Sequence, residues 1–178
     1  MESTSTPITY YFTSRTFTKT SLVDTNGQPV YWIETESSGG FWGSRNKETF
    51  VYKSSTRFAG EKALVAALDL RKKVVEYRDG KITPFSEIFG WKDWKSGADS
   101  VTRLRTWVTP VGTLHQPTGP SWQGQLVDDS GQTVISYRSN QRGFGASTSP
   151  TLSIVGPALS MDLDSIIVWW IIMMGIGD

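Results

Sequence analysis

Ile166-Ile167-Val168-Trp169-Trp170-Ile171-Ile172-Met173-Met174 is apolar at every position, and only Gly175, Ile176, Gly177 and Asp178 follow it. A segment that is hydrophobic all round offers water no face, so it must be buried on every side, in a protein core or in lipid. A bilayer-spanning helix needs about 20 largely apolar residues. Extending the run backwards to that length brings in Asp162 and Asp164, which are costly in hydrocarbon, and no Lys or Arg flanks it to set an orientation. A buried helix over about residues 160–175 is therefore expected. The alternatives are a tail anchor and, because Ile166, Ile167 and Val168 are β-branched, a core strand. Ser160 is the expected N-cap. Asp162 and Asp164 are the expected first-turn carboxylates, with Pro157 turning the chain just before.

The sequence ahead of this run reads as short strands. Ile8 to Thr13, Thr16 to Val23, Val30 to Glu36 and Lys47 to Lys53 are rich in Thr, Tyr, Phe, Val and Ile. Within the third, Val30, Trp32 and Glu34 alternate with Tyr31, Ile33 and Thr35. Asn26-Gly27 predicts a type I′ hairpin turn. Ala63 to Leu70 is helical by propensity, but a charged bend at Arg71-Lys72-Lys73 and then Val74 to Tyr77 make it a strand in a hairpin. Asp79-Gly80 is a further turn, and Pro84 at a first helical position predicts one helical turn near Thr83 to Phe89. Val101 to Val108, Ser121 to Val127, Thr133 to Arg138 and Thr151 to Val155 complete the strands, with Asp129-Ser130-Gly131 as another hairpin signal. Gly90 to Asp99 and Pro110 to Pro120 read as loops, Ser139 to Ser149 as an exposed Gly/Ser segment, and no tandem repeat is evident.

Many short strands at regular spacing predict a sandwich or a barrel, and a small barrel has room for a filling. The expectation is mostly β: a closed antiparallel β-barrel around the C-terminal helix. Residues 1–9 are expected to form a flexible N-terminus and residues 10–178 a single domain.

Composition narrows function mainly by exclusion. The formal charge is +1, so nothing in it announces nucleic acid. With no Cys there is no disulfide, no thiolate nucleophile and no Cys-ligated zinc, and one His makes a metal cluster improbable. No metal and no cofactor is expected. Met1 to Thr6 has no basic n-region and no apolar h-region, so the expected location is cytoplasmic, with peripheral contact to membranes.

Three groups of residues carry candidate chemistry. Arg71, Lys72 and Lys73 share one bend, and Arg103 and Arg105 lie two apart, hence on one strand face. Pointing outward, with Leu104 inward, these cations would grip a phosphorylated headgroup. His115, Asp162 and Asp164 are barrel-mouth candidates for an enzymatic alternative. His115 has no orienting partner visible in sequence, and the two aspartates are well explained as helix-capping groups. Trp42, Trp91 and Trp94 fall in loops, where they anchor in an interface, line a ligand site or cover barrel ends. Asp128-Asp129, just before Ser130-Gly131, are turn residues.

The order of features resembles an uncharacterised basidiomycete fungal domain. The likeness lies in Ala63 to Tyr77 followed by Asp79-Gly80 and Ile82 to Phe89, and in Trp122 with Leu126-Val127-Asp128-Asp129 and Val134 to Tyr137. It continues in Leu152-Ser153-Ile154, leading to Leu163-Asp164-Ser165-Ile166-Ile167-Val168. That domain is similar to the tubby C-terminal and LURP-one-related group, with which phospholipid scramblases are also compared. The resemblance covers roughly residues 10 to 174 and departs from the pattern at Gly90 to Trp107 and Gly143 to Ser149. It implies a closed barrel around a hydrophobic C-terminal helix, and lipid binding of the phosphoinositide type. The leading expectation is a non-enzymatic intracellular binding module for an anionic lipid headgroup or a protein partner. The alternatives are a small-molecule barrel with enzymatic activity in fungal secondary metabolism, and a structural or defence interaction protein.

Overall fold

The computed structural model describes residues 6–14, 19–38, 46–55, 60–96, 100–109, 112–116, 124–138, 142–143, 146–147 and 149–175; for 37–38, 46–47, 91–96, 100–104, 142–143, 146–147, 157 and 174–175 it describes the backbone alone. The first half is a run of hairpins: β1 (Ile8–Phe12), β2 (Lys19–Val23), β3 (Pro29–Ser38), β4 (Asn46–Ser54), β5 (Lys62–Asp69), β6 (Val74–Tyr77) and β7 (Ile82–Pro84). One helical turn, α1 (Phe85–Ile88), leads into β8 (Phe89–Ser96), β9 (Ser100–Thr109), β10 (Gly112–His115), β11 (Gln125–Val127) and β12 (Thr133–Arg138). A small separate hairpin, β13 (Arg142–Gly143) and β14 (Ala146–Ser147), precedes β15 (Thr151–Ile154). A 3-10 turn, Gly156–Ser160, then delivers the chain to α2 (Leu163–Gly175).

Thirteen strands form one antiparallel sheet in the order β7-β6-β5-β4-β3-β2-β1-β15-β12-β11-β10-β9-β8. The mostly β architecture with a C-terminal helix is as expected. A hydrogen-bonded closure is not among the described ladders: β7 and β8 are the two edges. Those edges are nevertheless consecutive in the chain, joined by the four residues of α1.

The terminal run is a core helix. Ile166, Ile167, Val168, Trp170, Ile171, Ile172 and Met173 are all buried, which removes the core-strand alternative. No described helix is long and apolar enough to cross a membrane. Since α2 is buried around its circumference, the sheet must curl about it. One continuous core confirms this, drawing Phe12 from β1, Leu22 from β2, Ile33 from β3, Leu68 from β5, Trp107 from β9 and Leu152 from β15. Trp170 packs between Phe12 and Tyr137, each ring centroid 5.1 Å away, and Trp169 meets Trp107 edge to face.

Several expectations need correction. The segment from Gly90, read as a loop, is β8. Glycine and tryptophan spacing hid a strand whose register with β9 runs from Phe89 opposite Trp107 to Ser96 opposite Ser100. Gly112–His115, inside the stretch read as irregular, is β10. The cap of α2 is Asp162 rather than Ser160. Its carboxylate accepts the Ser165 N–H at 3.1 Å and the Ser165 hydroxyl at 2.8 Å, while its carbonyl accepts the first intrahelical bond from Ile166. Ser160 ends the preceding 3-10 turn.

The Asn26-Gly27 turn is not type I′, because Asn26 does not have a positive φ. The Asp24 N–H donates to the Gln28 carbonyl and Gly27, at φ 76°, donates back to Asp24, while the Asp24 carboxylate accepts the N–H groups of Asn26 and Gln28. The loop from Asp128 to Gln132 repeats this bond for bond, with Gly131 at φ 83°. The sequences match too: Leu22 to Gln28 reads Leu-Val-Asp-Thr-Asn-Gly-Gln, and Leu126 to Gln132 reads Leu-Val-Asp-Asp-Ser-Gly-Gln. The strand register shifts between Leu22 and Val23 and again between Leu126 and Val127. At the same offset β1 corresponds to β10, β2 to β11 and β3 to β12, and β4 and β15 are the strands that flank β3 and β12. The middle of the sheet, β4-β3-β2-β1 then β15-β12-β11-β10, is thus one four-strand arrangement used twice. The repeat escapes notice in the sequence because its shared core is only seven residues long.

Candidate functional site

A cleft of about 380 Å³ opens where α2 begins. The helix contributes Asp162, Asp164 and Ser165. The β6–β7 hairpin contributes Tyr77, Arg78 and Asp79, and Val65 on β5 supplies an apolar wall. Local sequence explains each placement. Gly80, at φ 80°, lets the hairpin fold back so that the Gly80 N–H reaches the Tyr77 carbonyl at 2.8 Å. The Asp79 carboxylate accepts the Lys81 N–H at 3.0 Å, which fixes the tip.

Asp164 is the centre of the polar network. It accepts the Tyr31 hydroxyl at 2.8 Å on one oxygen and pairs with Lys53 on the other. Tyr31 lies on β3 and Lys53 on β4, opposite each other in register, so one carboxylate ties two strands to the first turn of the helix. Burial pushes the Tyr31 phenol well above its ordinary pKa, and its hydrogen bond to Asp164 and the negative charge there push it further. Tyr10 packs edge-on against Tyr31 at 5.9 Å and is raised as well, first by burial and then by the Asp164 charge. On the far wall, the Trp169 indole N–H donates to the Tyr77 hydroxyl at 3.2 Å.

Of the residues singled out from the sequence, Asp162 and Asp164 do line this cleft. His115 does not. It stands on β10 opposite Thr106, and its Nδ1 is buried with no hydrogen-bond partner among the described residues. The orienting group that a general base needs is thus missing at that nitrogen.

Of the basic candidates, Arg105 does not face outward. Arg105 is half-buried and points inward, on the same strand face as buried Trp107. Its guanidinium donates to the Met173 carbonyl at 3.0 Å, in the last turn of α2. The expectation that Arg105 faces outward is therefore corrected: a helix C-terminus carries unsatisfied carbonyls and partial negative charge, and the arginine satisfies both. Burial lowers its pKa. The side chains of Arg103 and Leu104 lie outside the described residues, as do those of Trp91 and Trp94 and all of Trp42.

Arg71, Lys72 and Lys73 form an exposed turn organised by Asp69. That carboxylate accepts the N–H groups of Arg71 and Lys72 and pairs with the Lys72 ammonium at 2.9 Å. These bonds, the Lys72 N–H foremost, hold the Asp69 carboxyl below its ordinary range. Lys73 adopts φ 57° to complete the bend.

Sequence reasoning missed Tyr31, Lys53, Tyr77, Arg78 and Asp79 as site residues. Tyr31 had already been placed on the same strand face as Ile33, which is the buried face. Nothing local marked Lys53, because its partner is 111 residues away.

Comparison with known proteins supplies a family. The chain belongs to the family of unknown function DUF6593, whose model matches residues 15–175. A search of curated proteins and a search of solved structures each find no match.

Proposed function

We propose that this domain is a non-enzymatic binding module that recognises a lipid headgroup in the cleft at the start of α2. One observation carries the reading. Around an otherwise apolar, filled interior, the cleft gathers fixed charges and hydroxyls of the kind that orient a small polar ligand. Those groups are held by structural bonds: Asp164 by Tyr31 and Lys53, Asp162 by the helix cap, Tyr77 by Trp169. The engagement of Asp164 by both Tyr31 and Lys53 favours a binding role over a free general base there. The resemblance to the tubby-like group supports headgroup recognition, and with it a barrel whose two edges β7 and β8 come together. The site, however, differs from the basic residues first singled out, since Arg105 serves the helix. In this reading the protein works in the cytoplasm and meets membranes peripherally.

The test is thermal unfolding of the full chain against a panel of soluble headgroups: inositol phosphates, glycerophosphoserine, glycerophosphoethanolamine and glycerophosphocholine. A ligand that binds only the folded state raises stability with the logarithm of its concentration above Kd, by about 2.7 kcal/mol at a hundred times its Kd. The expected result is stabilisation that rises logarithmically with concentration for at least one compound, recovered chemically unchanged. Stabilisation by none, or conversion of the compound, would overturn the reading.

A further inference from the structure

The geometry points to a small zwitterion, carrying an ammonium and a phosphate, as the class of molecule that this cleft takes; the inference rests on the binding reading above. The cleft is lined by charges of both signs that do not meet. Arg78 shares it with Asp79, Asp162 and Asp164, yet Arg78 forms no ion pair with any of them among the described residues. Opposite charges facing one space without touching are what a molecule bearing both signs would bridge. Lys53 already neutralises Asp164, so the charges left to a ligand are Arg78 and Asp79 on the hairpin and Asp162 beside the helix.

The donors suit a phosphate at the cationic end. A guanidinium is a planar fork that matches phosphate oxygens two at a time. Beside it, the Tyr77 hydroxyl accepts the Trp169 N–H and so keeps its own proton to donate. The acceptors of the same cleft suit an ammonium. Asp79 uses Oδ1 for the Lys81 N–H, and Oδ2 is left to accept from a cation. Asp162 commits Oδ2 to the helix cap, while Oδ1 meets the Asp164 N–H only at 3.4 Å. A purely anionic ligand would be repelled by the carboxylates and a purely cationic one by Arg78; a zwitterion avoids both penalties. The cleft, at about 380 Å³, is in the size range of small-molecule sites.

Such a molecule is either the headgroup of a zwitterionic lipid or a free metabolite of the same chemistry. Calorimetric titration of the full chain with glycerophosphoethanolamine, glycerol phosphate and ethanolamine tests the class. Sedimentation with phosphatidylethanolamine–phosphatidylcholine vesicles then separates the sources. The expected result is that glycerophosphoethanolamine binds at least about tenfold tighter than either half. Arg78→Ala and Asp79→Asn should each weaken it by about tenfold with the melting temperature unchanged, since Asn keeps the acceptor for the Lys81 N–H. Co-sedimentation assigns the lipid, and binding of the soluble compound alone assigns the metabolite. Glycerol phosphate binding as tightly as the zwitterion, or binding of the zwitterion untouched by both substitutions, overturns the inference and leaves the headgroup reading standing. An absence of binding by all three compounds and by the vesicles also overturns it. The headgroup reading falls with it only if the wider panel stabilises nothing.

Discussion

The Tyr31 hydroxyl, at the buried face of β3, donates to the Asp164 carboxylate in the first turn of α2 at 2.8 Å. This bond crosses from sheet to helix and joins residues 133 positions apart. It sits deeper than the Lys53 contact to the same carboxylate, since the Lys53 side chain is 40% exposed. Tyr31→Phe should therefore cost about 1–2 kcal/mol, the usual loss for a bond to a charged group tempered by partial exposure. Lys53→Met should cost less, in the range of about 0.2–1 kcal/mol for a solvent-screened ion pair. Urea denaturation of the two variants gives the ranking directly, and a larger loss for Lys53→Met would contradict it.

The same tyrosine sets an alkaline limit. Its pKa in the folded state is raised, first by burial, from an unfolded value of 10.0. Above that pH the unfolded chain gives up a proton that the folded chain keeps, so stability falls as pH rises. Its contribution is complete below pH 10 and declines from there towards the folded value. Stability measured across that window should drop in wild type and drop less steeply in Tyr31→Phe. Equal slopes would show that the remaining raised tyrosines, Tyr10, Tyr77 and Tyr137, account for the effect.

Arg105 predicts a different kind of lesion. Because its guanidinium satisfies the Met173 carbonyl at the end of α2, Arg105→Met should destabilise the fold by about 1–2 kcal/mol, the upper part of the range for a cation at a partly buried helix terminus. Arg105→Glu should cost more, since it sets a negative charge against the negative end of the helix. Chemical denaturation measures both; unchanged stability would return Arg105 to the surface-patch role first expected of it.

Gly124 should tolerate no side chain. It has φ 71°, and a Cβ there would stand 2.6 Å from the Tyr137 Cβ, a backbone-proximal atom that cannot swing away. Gly124→Ala combines that overlap with left-handed strain and should lose about 1–3 kcal/mol. Gly131, with the same handedness but open space around it, should lose less on the same substitution.

Deleting residues 166–178 removes seven buried side chains from α2. Each contributes about 1.5–3 kcal/mol by burial, against a typical total stability of about 5–15 kcal/mol. The truncated chain should be insoluble or unfolded, as circular dichroism and solubility would show. Even Ile167→Ala alone should cost about 2–5 kcal/mol.

The parts of the fold readable in the sequence are those whose cause is local. An apolar run without a polar face, such as Ile166 to Met174, has one resting place. Glycines after Asp or Asn mark hairpins, although the turn type at Asn26-Gly27 depended on the Asp24 side chain and the bulge beside it. The β8 strand was hidden because Gly90, Trp91 and Trp94 mimic loop composition, although its pairing with β9 is a local hairpin. The site was half legible. Asp162 and Asp164 announced themselves beside the helix, but Tyr31 and Lys53, the partners of Asp164, are set by register across β3 and β4. Arg105 was misread because strand alternation gives two faces and charge alone chose the wrong one. The buried neighbour Trp107, two residues on, was the better guide.

The order in which the ribosome delivers these elements has a consequence of its own. Most hairpins pair strands made moments apart, so they form as they emerge. The ladder between β1 and β15 and the core helix α2 must wait until nearly all the fold has been translated. Throughout that interval Leu22, Ile33, Val51 and Leu68 line a sheet with nothing to cover it. Until α2 is made the nascent domain therefore presents an aggregation-prone apolar surface, and a premature stop anywhere before residue 163 releases a chaperone client in place of a folded domain.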